Sequence, residues 1–234
     1  MHHISFRSER PERRAAAHAA ALPGGVLDPS RTAHLVVDLQ NGFMAPGAPV
    51  EVPVARDIVP NVNRISAALR DTGGTNVFLR MNLGTPATAT WRGYLDRIPT
   101  PEGRASLVAA FTDGHSGFEL WDGLDVAEAD LVVDKTRFSA FVPGASRVHE
   151  ELARRGVDTL VVTGTLTNVC CESNARDAMQ MDYRILFVAD ATAALSDETH
   201  NATLAAMDSH FGVVVTTDEV LAALPTPHRS PVPS

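Results

Sequence analysis

Apolar residues along this chain follow two alternating rhythms. Short runs rich in branched side chains have the length and make-up of buried strands: His34-Leu35-Val36-Val37, Asn76 to Met81, Leu131-Val132-Val133, Thr159 to Thr163, Ile185 to Ala189 and Val213 to Thr216. Between them, apolar positions recur at helical spacing. Ile58, Val62, Ile65 and Leu69 mark one face of a helix over 57–71, and Gly73-Gly74 stops it. Further helices are predicted over 145–154, 168–181, 198–210 and 218–224. Strand and helix alternate, so the economical architecture is α/β: a mostly parallel sheet of about six strands inside a three-layer αβα sandwich. Right-handed crossovers then bring every strand's C-terminal end to one edge, where such sheets bind ligands. The stretch 82–129 breaks the rhythm and scatters Trp91, Tyr94, Phe111, Phe118 and Trp121 through polar sequence. It is expected to wall a pocket. One domain, 26–224, is flanked by a basic, Ala-rich arm over 1–25 with Arg7, Arg10, Arg13 and Arg14, and by a tail over 225–234 holding four prolines.

Composition narrows the class. The 234 residues are 44% apolar and 21% charged, as in an ordinary globular protein, and suit one large domain. A formal charge of −8 argues against nucleic acid or an anionic membrane as partner. The two cysteines, Cys170 and Cys171, are adjacent. Neighbouring residues rarely close a disulfide without distorting the backbone, so free thiols and a reducing cytoplasm are expected. No apolar run approaches the roughly 20 residues of a membrane span.

Three polar groups fall at or near strand ends, at the edge where ligands bind. Asp38 ends the first strand, Lys135 follows Val132-Val133-Asp134, and Cys170 follows Leu160-Val161-Val162-Thr163 across a turn, in the first turn of a predicted helix. The chemistry is coherent. A thiol with a pKa of about 8.5 needs help to ionise. A carboxylate can take its proton and later pass it to a leaving amine, and a lysine beside both offsets the charge. Asp134 is the competing carboxylate, but strand alternation points it away from Lys135. Gln40, Asn41, Phe43, Trp91, Tyr94, Phe138 and Phe141 are candidate substrate contacts. His115, His200 and His210 have no metal-ligand spacing, and no metal or cofactor is expected.

These stretches resemble a known family. Gly164-Thr165-Leu166-Thr167-Asn168-Val169-Cys170-Cys171-Glu172-Ser173, followed by Ala175-Arg176-Asp177-Ala178, is similar to the nucleophile motif of isochorismatase-like cysteine hydrolases. Val36-Val37-Asp38-Leu39-Gln40-Asn41-Gly42-Phe43 resembles their aspartate motif, and Val133-Asp134-Lys135-Thr136-Arg137-Phe138 their lysine motif, all in family order. The resemblance implies a Rossmann-like fold and a triad of Asp38, Lys135 and Cys170, with Cys171 a bystander. It also implies a cis Thr165–Leu166 bond and an oxyanion hole from the N–H groups of Leu166 and Cys170. Nicotinamidase-type members hold a metal through an Asp-x-His element after the second strand. Here that place reads Met81-Asn82-Leu83-Gly84, which implies no metal. The motif version looks most like hydrolases of ureidoacrylate, carbamoyl and other linear amides. A small-molecule amide substrate and a dimer or tetramer of identical chains are the expected partners. The alternatives are a vinyl-ether hydrolase, whose members generally lack the cysteine, and a catalytically silent binding domain.

Overall fold

The computed structural model describes residues 1–5 and 11–226. Arg7, Arg10 and residues 227–234 of the expected arm and tail lie outside the described residues. Six strands form one sheet in which every pairing is parallel: β1 (Thr32–Val37), β2 (Thr75–Met81), β3 (Leu131–Lys135), β4 (Thr159–Thr165), β5 (Arg184–Ala193) and β6 (Val213–Val215), in spatial order 3-2-1-4-5-6. The chain starts in the middle of the sheet, builds to one edge through β3, then returns to build the other half from β4. The order reverses between β1 and β4, which opens a crevice beyond their C-terminal ends. Those two strands are buried along their whole length, so neither shows the apolar–polar alternation of a half-exposed strand.

Helices α1 (Pro11–Ala21), α2 (Asn41–Met44), α3 (Ala55–Thr72), α4 (Pro86–Ala89), α5 (Arg92–Leu95) and α6 (Pro101–Ala110) precede β3 or follow β1 and β2. After β3 come α7 (Val148–Arg154), α8 (Glu172–Gln180), α9 (Asp197–Ala206) and α10 (Thr217–Ala223). The predicted helix over 57–71 is α3. Its face of Ile58, Val62, Ile65 and Leu69 is buried against the sheet, and Gly73 ends it in the left-handed conformation (φ 87°) that a Cβ disfavours. Residues 1–5 lie along the domain: the Met1 amino group meets Asp57 of α3, and the Ser5 N–H donates to Asn201 of α9.

Several boundaries differ from the sequence-based expectation. The helix expected over 168–181 is divided: a π-type turn, Thr167–Cys171, precedes α8. Cys170 therefore sits in a wide turn and not in the first turn of an α-helix. The helix expected over 198–210 likewise gives way to a π-type turn at Met207–Phe211. Strand β5 runs on to Ala193 because a register shift between Val162 and Gly164 lets Gly164 and Thr165 of β4 pair with Thr192 and Ala193. The irregular stretch after β2 folds as the three short helices α4, α5 and α6 and a tight turn at Ser116–Phe118. Among the described residues, no helix is long and apolar enough to cross a membrane.

Candidate active site

Three backbone devices gather the expected triad. First, Asp38 leaves β1 with φ 53°, in the left-handed region that aspartate tolerates better than branched residues do, while its N–H still donates to the Leu79 carbonyl of β2. Second, Lys135 is the last residue of β3, paired in register with Met81. Third, Gly164 has φ 111° and packs so tightly on β1 that a Cβ there would lie 2.1 Å from the Val37 carbonyl oxygen. The next peptide bond but one, Thr165–Leu166, is cis. It leads into the turn that carries Cys170.

The three side chains meet inside the protein. Lys135 Nζ lies 2.8 Å from Asp38 Oδ2, and both side chains are 0% exposed. The ammonium also donates to the Arg137 carbonyl at 3.1 Å. Cys170 is 2% exposed, and its thiol lies within electrostatic reach of both Asp38 and Lys135. A buried ion pair survives only when geometry and further hydrogen bonds repay its lost hydration, so this pair is a feature that needs its partners. Burial pushes the Asp38 carboxyl above its ordinary value, with Lys135 pulling it back. Burial also works against the charge on Lys135, but the attraction of Asp38 and Cys170 prevails and its pKa is raised. The Cys170 thiol is raised by burial against the pull of Lys135, so the resting sulfur keeps its proton. A protonated thiol beside a carboxylate of raised basicity is arranged for proton transfer on demand.

The turn is braced from behind. Asn174 donates to the Cys170 carbonyl at 2.7 Å and to the Phe138 carbonyl at 3.1 Å, and accepts from the Ala140 N–H at 2.9 Å. It thereby ties the turn that carries Cys170 to the loop that follows Lys135. Thr167 Oγ1 meets Nδ1 of the buried His200 at 3.0 Å, and the His2 ring stacks on His200 with centroids 4.4 Å apart. Neither Asn174 nor His200 was singled out as functional from the sequence. Asn174 lies one helical turn past Cys170, and that spacing is the signal that could have found it.

Cys170 opens on a cavity of about 170 Å³. Of the seven expected substrate contacts, Phe43, Tyr94 and Phe138 line it. Trp91 stands behind them, its ring centroid 4.6 Å from Tyr94 and 4.8 Å from Phe138. The other three are placed elsewhere, each for a physical reason. The Gln40 amide is buried and spent on backbone: it bonds both the N–H and the carbonyl of Met81, and the carbonyl of Phe118. Asn41 donates to the Ser116 carbonyl and lines a separate surface groove with His115 and Trp121. Phe141 is buried against Tyr183. The walls not foreseen residue by residue are Val50, Met81, Leu83, Leu107, Phe111 and Val169.

Where metal-binding relatives would place their ligands, Asn82 donates to Asp134, which is also paired with Arg80 at 2.9 Å. Among the described residues, no three or more His, Cys, Asp or Glu side chains gather.

Comparison with known proteins agrees with this geometry. The isochorismatase domain model matches residues 32–219. The ureidoacrylate amidohydrolase RutB of Methylobacterium radiotolerans is 32% identical over 221 residues, covering 88% of this chain and 84% of that protein. The uncharacterized isochorismatase family protein YwoC of Bacillus subtilis is 30% identical over 195 residues, 83% of this chain and 95% of its own. Among solved structures, a cysteine hydrolase from Pseudomonas syringae pv. phaseolicola superposes with a TM-score of 0.75 at 28% identity, covering 84% of this chain and 93% of that one. With the family model spanning the sheet from β1 into α10, this chain belongs to the isochorismatase family.

Proposed function

We propose that this protein is an amidohydrolase that cleaves the C–N bond of a small amide or ureide through an acyl group carried on Cys170. The observation that carries this is the Asp38–Lys135 pair at 2.8 Å, wholly buried and in contact with a thiol that faces a cavity. The relatives named as an amidohydrolase and a cysteine hydrolase support it.

The substrate carbonyl enters above Cys170. Asp38 accepts the thiol proton as the sulfur attacks, and a C–S bond forms. The carbonyl oxygen becomes an oxyanion, held by the N–H groups of Leu166 and Cys170, which lie in the same turn. Asp38 then delivers its proton to the nitrogen as the C–N bond breaks and the amine leaves. Water enters, gives a proton to Asp38 and attacks the thioester (a thiocarbamate for a ureide). The acid departs and the thiol regains its proton. Throughout, Lys135 keeps the Asp38 site charged between transfers, and burial keeps bulk water from competing for the proton.

Intact-protein mass spectrometry of a rapidly quenched reaction tests the scheme. An acyl adduct mapping to Cys170 is expected. Turnover with oxygen-18 entering from water, no adduct at any quench time and no inhibition by iodoacetamide would instead mean direct attack by water.

A further inference from the structure

The cavity above Cys170 restricts what can occupy it. Its volume, about 170 Å³, is near that of engineered protein cavities of about 150 Å³ that stay dry and bind benzene. Phe43, Leu83, Leu107, Phe111 and Phe138 supply hydrocarbon on its walls. Among the lining residues, only Tyr94 and Cys170 carry a side-chain O–H or S–H, and none carries a cation. Three cations near the cavity have assigned positions. Lys135 holds Asp38 and the Arg137 carbonyl. Arg80 is paired with Asp134 and lies over the Phe118 ring. The Arg137 guanidinium lies over the Trp91 ring at 5.1 Å and donates to the Thr136 carbonyl at 2.7 Å. A carboxylate carried into such walls would surrender its hydration with no cation on the lining to receive it, whereas hydrocarbon gains by the same transfer. Tyr94 offers a single neutral hydroxyl, and burial raises its pKa so that it stays a donor.

We propose that the substrate is an uncharged amide or urea whose substituent is apolar and no larger than about a benzene ring, in contrast to a carboxylate-bearing substrate such as ureidoacrylate. This rests on the amidohydrolase reading above. Specificity then comes from the walls supplied by the irregular stretch after β2, and the triad beneath them would be indifferent to the substituent's charge.

Matched pairs test it, because an isopropyl group has nearly the shape of a carboxylate. The amide pair is 4-methylpentanamide and succinamate; the urea pair is N-isopentylurea and 3-ureidopropionate. The neutral member of at least one pair is expected to have a kcat/KM about a hundredfold or more above its anionic partner, the scale of an unpaired buried charge. A second readout needs no turnover. An aldehyde adds reversibly to a thiol, forming a C–S bond while the thiol proton goes to the aldehyde oxygen. Thus 4-methylpentanal should shield Cys170 from iodoacetamide at about a hundredfold lower concentration than succinic semialdehyde. Equal or preferred turnover of the anionic members, with an acyl adduct still forming on Cys170, would overturn the apolar substrate and leave the amidohydrolase intact. No turnover of any of the four compounds, with selective shielding by 4-methylpentanal, would overturn the amidohydrolase and leave the apolar pocket. Failure of the aldehydes to discriminate, together with no turnover, would overturn both.

Discussion

The floor and the walls of the Cys170 cavity are built on different principles. The floor consists of Asp38, Lys135 and the turn that carries Cys170, which follow or end β1, β3 and β4 of one parallel sheet and are held by short polar contacts. The walls come from α2 and the loop after it, the end of β2, the irregular stretch that holds α5 and α6, and the loop after β3, and they meet the cavity with side chains that make almost no directed contact. Each floor group has a partner whose loss leaves a buried polar atom exposed to nothing. Wall groups interchange at the cost of volume and little else. Under the proposed amidohydrolase reading the contrast separates two tasks: the floor sets which bond is attacked, and the walls set which molecule is held over it.

If this division holds, perturbing the floor should be far more damaging to turnover. Cys170→Ala is expected to remove at least about four orders of magnitude of kcat, as loss of a nucleophile does. Cys171→Ala should leave activity within about threefold, because its thiol is packed into the core and donates to the Thr163 carbonyl at 3.8 Å. Steady-state kinetics with the order reversed would dissolve the distinction at its centre. Asp38→Asn should cost about a hundredfold or more in kcat and slow iodoacetamide labelling of Cys170. Full activity in that variant would move the proton transfer to some other group.

Lys135→Met tests whether the floor is also structural. It strands a buried carboxylate, so urea unfolding should show a loss of about 3–5 kcal/mol, with the Asp38→Asn, Lys135→Met double variant recovering part of it. An unchanged midpoint would mean that the pair contributes charge alone.

Acid should act on the framework beneath the floor. His34 lies in β1 between Ser66 and Thr163, and burial lowers its pKa to about 3; burial, with His2 adding to it, lowers His200 to about 4. Both are neutral when folded and gain a proton on unfolding near pH 6.5. Their contribution is therefore whole above about pH 6.5 and is lost as pH falls toward 4 and then 3. Stability to urea should decline through that window, by up to about 4 kcal/mol from His34 alone. Asp38, whose folded value is raised, opposes part of this slope. A flat profile, or an unchanged slope in His34→Asn, would dismiss the histidines as its source. The smallest effect is reserved for the walls. Leu107→Ala should raise KM for a fitting substrate about tenfold with kcat and labelling within about threefold, since a few methylenes are worth that much in a pocket. A large fall in kcat would place Leu107 with the floor.

The same division explains what could be foreseen. Strand β1 announces itself as Leu35-Val36-Val37 and then breaks to a carboxylate, and β3 and β4 end just as abruptly, so chemistry at strand ends was visible in residue type and order alone. The walls were not. Helices α4 and α5 are four residues each, too short to show a period, and α6 buries only Leu107 and Ala110, too few positions to mark a face. Gln40 and Asn41 stand in the aspartate motif beside Phe43, yet only Phe43 reaches the cavity, because the other two spend their amides on backbone of the neighbouring loops. Sequence proximity to Asp38 carries no information about such distant acceptors. The division of the helix after Cys170 was hidden for a related reason: a π-type turn has nearly the same apolar spacing as an α-helix.

The closeness of β1 and β4 at Gly164 has a consequence for any attempt to redesign this protein. The chain passes Val37 with room for a hydrogen and nothing more. Of the twenty natural letters, position 164 accepts one, and the same contact couples the strand that ends in Asp38 to the strand that leads to Cys170. A mutational library aimed at the cavity can vary Leu83, Leu107 and Phe111, but a change at position 164 would pry the two strands apart and move Asp38 and Cys170 together. Silence at that position in a deep mutational scan, beside tolerance around the cavity, would be the genetic imprint of two backbones in direct touch.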